Sequence, residues 1–156
     1  MGKNKIAAAV TGVLIVVTLG FIWGNSCLSI AASGKESEGV FSKLKPVFDF
    51  LLGEGTVSHS LFRKLAHAAE FFLLGAEISL LYFFSGASAI KKVFEILFSG
   101  LFAAVIDESI QILSLRGSSV KDVLIDFSGF VLGVSAIFLI TYLVFKRRIK
   151  DYADKN

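Results

Sequence analysis

The run Ile6–Trp23, IAAAVTGVLIVVTLGFIW, holds 18 residues without one charge. At about 1.5 Å rise per residue, a helix of that length crosses most of a roughly 30 Å hydrocarbon core. A cleaved signal peptide is the competing reading, with Lys3 and Lys5 as its basic start and Ala31-Ala32-Ser33 as its small-residue stretch. Signal peptides carry apolar regions of about 7–15 residues. This run is longer, which favours a retained helix. Cys27 follows it closely, but Gly24-Asn25-Ser26 makes a poor site for lipoprotein processing.

The rest of the chain agrees with a bilayer as solvent. Of the 156 residues, 54% are apolar and 19% charged, and the mean hydropathy is +0.74. Soluble domains carry about 45–50% apolar and about 25% charged residues. Sixteen Phe stand against three Tyr and one Trp; Phe faces lipid freely, whereas Tyr and Trp need a polar neighbour. A net charge of +3 in short clusters beside apolar runs points to helix anchoring and away from a nucleic-acid partner. A single cysteine excludes an intrachain disulfide.

Three further apolar runs follow, at 65–84, 93–113 and 123–145. The fold class expected is an all-α membrane protein, one domain over residues 1–156, with four transmembrane helices. The polar stretch 24–64 separates the first two. Within it Phe41, Leu44, Phe48, Leu51 and Leu52 recur at helical spacing, and Pro46 suits a first helical turn. A short amphipathic helix on the membrane surface and a simple linker both fit. Ser119 and Asp122 have the spacing of a capping box for the last helix.

Lys3/Lys5, Lys91/Lys92 and the tail from Lys146 to Lys150 fall on one side of a four-span chain. Basic residues mark the cytoplasmic side, so both termini are expected there. Tyr82 and Tyr142 then lie near the inner interface and Trp23 near the outer one.

Charged residues inside spans are costly and call for a reason. His67 and Glu70 open the second span; Asp107, Glu108 and Gln111 close the third; Arg116, Asp122 and Asp126 lie in the following loop and the first turns of the fourth. The topology delivers all of them to the outer end. His67 and Glu70, three apart, share a helix face, as do Asp107 and Gln111, and Asp122 and Asp126, four apart. Such groups also cap helices or form interfacial salt bridges, and Asp122 at a helix start opposes the macrodipole without further function. Glu77 lies mid-span with no cation at matching depth; a neutral carboxyl hydrogen-bonded to Ser99 or Ser135 is expected. Gly129 and Gly133, four apart, allow a close helix approach.

Arg63-Lys64-Leu65-Ala66-His67-Ala68-Ala69-Glu70-Phe71-Phe72-Leu73-Leu74-Gly75 resembles the first signature of the VanZ-like membrane proteins. Asp107-Glu108-Ser109-Ile110-Gln111, with Arg116-Gly117-Ser118-Ser119-Val120-Lys121-Asp122-Val123, resembles the second, and Gly129 and Gly133 match its small-residue helix. One departure is Asp126, where the family pattern more often carries Asn. The resemblance implies a bacterial cell-membrane protein related to an accessory protein of teicoplanin resistance, without fixing its activity or a resistance role.

Three functions are open to such a chain. An outer-leaflet site could bind a membrane lipid, a lipid-linked cell-wall precursor or a lipophilic glycopeptide antibiotic, with Arg116 gripping a phosphate bidentately. An enzyme could use His67 as general acid or base and Glu70, Asp107 and Glu108 as oxygen ligands to a divalent metal. The sequence has no recognised metal signature, so no metal or other cofactor is assigned. A structural protein would use the polar cluster only to lock the bundle. A transporter is less attractive for four spans without a repeat, and oligomeric state is not legible.

Overall fold

In the computed structural model the chain forms five helices: α1 (Gly2–Cys27), α2 (Ile30–Leu52), α3 (His59–Phe84), α4 (Val93–Leu113) and α5 (Val120–Ala153). The structure describes residues 2–28, 30–86, 92–115 and 119–153. Four segments are long and apolar enough to cross a membrane: Asn4–Cys27, His59–Phe84, Val93–Leu113 and Val120–Arg147.

These four pack as a ring in which α1 touches α3 and α4, and α5 touches the same two from the other side. Helix α3 is the hub and contacts every other helix. The core is thin, built from Ile22, Phe71, Leu74, Ile96, Ala104 and Phe130 with their neighbours. Large apolar side chains such as Val16, Phe94, Phe98 and Leu132 point outward, the pattern of a bundle whose outer surface meets acyl chains.

Small residues set the helix spacing. A Cβ on Gly129 would lie 2.1 Å from the Ala68 carbonyl oxygen, and one on Gly133 2.0 Å from that of Phe72. From the facing side, a Cβ on Gly75 would meet the Phe130 carbonyl oxygen at 2.2 Å. Backbones of α3 and α5 therefore touch directly, as small residues permit in membrane helices. Gly100 of α4 makes room for the ring of Phe130.

Two element boundaries differ from expectation. Helix α3 begins at His59, not Leu65, because Ser58 caps it by accepting from the Leu61 N–H at 3.2 Å. The polar residues His59, Arg63 and Lys64 are thus helical and belong to the site. The helix expected around Pro46 is longer, and Pro46 lies inside α2 instead of in its first turn. Phe41 and Phe48 of α2 pack on Phe62 at centroid distances of 5.4 and 6.0 Å. That docking holds the helix despite the donor lost at proline. The α2–α3 turn is tied by Asp49, which accepts from the Gly55 N–H at 3.2 Å and from Lys45. The hydrogen bond from Lys45 holds the Asp49 carboxyl below its usual value.

Candidate functional site

Membrane helices that run antiparallel bring alternate ends together. Here the C-terminal ends of α1 and α4 meet the N-terminal ends of α3 and α5, and the polar residues of all four converge there.

Asp107 is the best-held of them. It is fully buried, with Oδ1 accepting from Ser26 Oγ of α1 at 2.7 Å and Oδ2 from Gln111 Nε2 at 2.7 Å. Each carboxylate oxygen thus has a donor, which is what a buried acid requires. Glu108, also buried, accepts from the Ser119 N–H at 3.3 Å. The Ser119 hydroxyl in turn accepts from the Lys121 N–H at 3.0 Å.

This corrects the expected capping box. The Ser119 hydroxyl accepts from Lys121, the second helical residue, and not from Asp122, the third, while Glu108 from α4 takes the place of Asp122 on the Ser119 N–H. Asp122 turns to α3 and pairs with Lys64 at 2.9 Å. The first turn of α5 is thereby tied to both neighbours.

His67 faces Glu70 one turn on, with Nδ1 3.8 Å from Oε2. Asp126 is only 2% exposed, and Glu70, Asp107, Glu108 and Asp122 all lie within electrostatic range of it. One ring nitrogen of His67 and one oxygen each of Asp107 and Asp126 lie within 4.8 Å of one another. Three helices therefore deliver an imidazole and two carboxylates to one point.

A cleft of about 280 Å³ opens above that point, lined by Arg63, Lys64, His67, Glu108, Asp122 and Asp126 among others. On the outer face of the bundle an apolar groove of about 430 Å³ runs between α3 and α5, over Ala68, Phe72, Gly129 and Leu132. Ile125 lines both. Arg63 and His67 also border a third hollow of about 350 Å³ between α1, α2 and α3.

Of the residues singled out in the sequence, the structure brings together His67, Glu70, Asp107, Glu108, Gln111, Asp122 and Asp126, while Arg116 lies outside the described residues. Glu77 lies elsewhere, at mid-bundle. Its partner is Thr18 of α1, whose hydroxyl donates to Oε1 at 3.0 Å. The expected partners are otherwise engaged: Ser99 donates to the Ile96 carbonyl and Ser135 to that of Val131. Sequence reasoning missed Ser26, Thr18, Arg63 and Lys64. The first two were hidden because hydroxyls are common in membrane helices, and the last two because the apolar run starts only at Leu65.

No curated protein and no protein of solved structure matches the chain. A family does: residues 9–144, which take in the second and third spans whole, all but the chain-terminal ends of the first and last, and the described lining of the polar cleft, match the family described as VanZ/LLP1, and the chain belongs to it.

Proposed function

We propose that this VanZ-like membrane protein binds a phosphate-bearing envelope lipid, its headgroup in the polar cleft and its chain in the adjoining groove. The observation that carries this reading is Ile125, a lining residue of both the polar cleft and the apolar groove. A ligand occupying both must be an amphiphile that enters sideways from the bilayer. Arg63 forms no ion pair among the described residues and can meet a phosphate bidentately. Lys64 is already paired with Asp122 and contributes as a point charge. The clustered basic residues at Lys3/Lys5 and Lys146/Arg147 favour placing the cleft at the outer leaflet with both termini inside. A lipid-linked cell-wall precursor has this chemistry; an acylated glycopeptide such as teicoplanin offers the apolar chain without the phosphate.

The test compares thermal stabilisation of the detergent-purified protein by a polyprenyl monophosphate and by the matching phosphate-free polyprenol. The phosphate should bind more tightly, and Arg63→Ala should weaken it about tenfold, the scale of one lost charged hydrogen bond. Equal binding of phosphate and alcohol, or an Arg63→Ala variant that binds as wild type, would sink the reading.

A structural reading is favoured by Asp107 alone, whose two oxygens are both engaged within the bundle. It predicts that Asp107→Asn loses folding yield and envelope function together.

A further inference from the structure

Asp126 poses a problem that lipid binding does not solve. Its side chain is 2% exposed and lines the floor of the cleft, yet it takes no hydrogen bond from any described residue. Burying a carboxyl without a partner is costly. Four other carboxylates lie close enough to repel charge on it.

We propose that His67, Asp107 and Asp126 form a binding site for a single divalent transition-metal ion at the floor of the cleft. Their donor atoms come from α3, α4 and α5 and lie within 4.8 Å of one another. Donors held about 2.0–2.2 Å from a metal sit roughly 3–3.5 Å apart, so about an ångström of side-chain movement closes the set on an ion.

Supporting groups behind the ligands fit the same role. Metal-binding imidazoles usually have a carboxylate at the other ring nitrogen, which fixes the ring and raises its basicity. Glu70 stands 3.8 Å from His67 Nδ1, and would fill that role with Nε2 turned to the ion. Ser26 and Gln111 each donate to one oxygen of Asp107. This fixes the plane of the carboxylate and leaves each oxygen a lone pair.

Donor chemistry narrows the ion. One imidazole with two carboxylates and no thiolate suits Zn²⁺ or Mn²⁺, whereas Mg²⁺ and Ca²⁺ take all-oxygen sets. The only cysteine, Cys27, is exposed and free. Three protein ligands leave coordination positions open toward the cleft. The rival account is a proton shared between Asp107 and Asp126, which needs no metal.

This proposal stands whether or not a lipid occupies the cleft, and its test contains none. Full-length protein is purified in detergent, stripped with a chelator, dialysed and titrated with Mn²⁺ under electron paramagnetic resonance. One Mn²⁺ per chain should disappear from the free-ion signal, and Zn²⁺ should displace it. Pulsed spectra of bound Mn²⁺ should show coupling to an imidazole nitrogen. Asp126→Asn and His67→Gln should each weaken binding by more than tenfold, and Glu70→Gln by about tenfold, the scale of a lost supporting contact. Lack of stoichiometric uptake by wild type, or bound Mn²⁺ without nitrogen coupling, would overturn the site, and neither readout depends on a variant folding. Helical, monodisperse variants that bind as wild type would overturn it too.

Discussion

Ser26 lies at the C-terminal end of α1 and is fully buried against Asp107. Removing its hydroxyl leaves Oδ1 of a buried carboxyl without its donor. Hydrogen bonds between membrane helices contribute about 0.6 kcal/mol on average and up to about 1.7. Ser26→Ala should fall near the upper figure, because its partner is a carboxyl, and should lower the thermal midpoint in detergent measurably. An unchanged midpoint would mean that Asp107 draws its stability from elsewhere. At this scale the sequence is half legible. Carboxylates stand out in an apolar run because burying them is costly, so Asp107, Glu108 and Asp126 were visible. Their partners were not. Ser79, Ser109 and Ser128 satisfy themselves on carbonyls of their own helices, and nothing local separates them from Thr18 and Ser26, which reach across to another helix.

Between elements, the contact of α3 with α5 is the one most sensitive to a single methyl group. The four-residue spacing of Gly129 and Gly133 announced a close approach, but not its target. Gly75 and Gly100, which serve the same packing from α3 and α4, carried no such pairing. Gly133→Ala should destabilise the bundle by about 1–3 kcal/mol, since the Phe72 carbonyl cannot withdraw without moving the helix. Gly20→Ala is the control. A Cβ there meets nothing within 4 Å, and alanine is the better helix former by about 1 kcal/mol. Comparable losses in the two variants, scored by thermal unfolding, would refute direct backbone contact. Helix limits were less legible than helix positions. Hydropathy marks where a chain meets lipid, whereas caps such as Ser58 decide where the helix begins.

Considered whole, the molecule has four spans, an even number that returns both termini to one face. Fluorescent-protein fusions at both ends should be bright in the cytoplasm, and an alkaline phosphatase fusion after Glu54 should be active outside. An active phosphatase at the C-terminus would reverse the assignment of the cleft to the outer leaflet. The architecture was largely legible because apolar runs and basic clusters are properties of segments; that the second, third and fourth spans bring their polar residues to one end also followed from topology, whereas the part that α1 plays there through Ser26 did not. One feature bears on how the protein is made. The inward face of α1 holds Thr11, Thr18 and Ser26 beside Ile22, while Val13, Val16 and Val17 face outward. Such a helix is greasy enough to enter the bilayer alone and polar enough on one side to dock afterwards. Synthesised as a separate peptide, α1 should still find its place on a fragment spanning α2 to α5, a split that co-purification of the two pieces from one membrane would register and that Thr18→Val with Ser26→Ala should weaken.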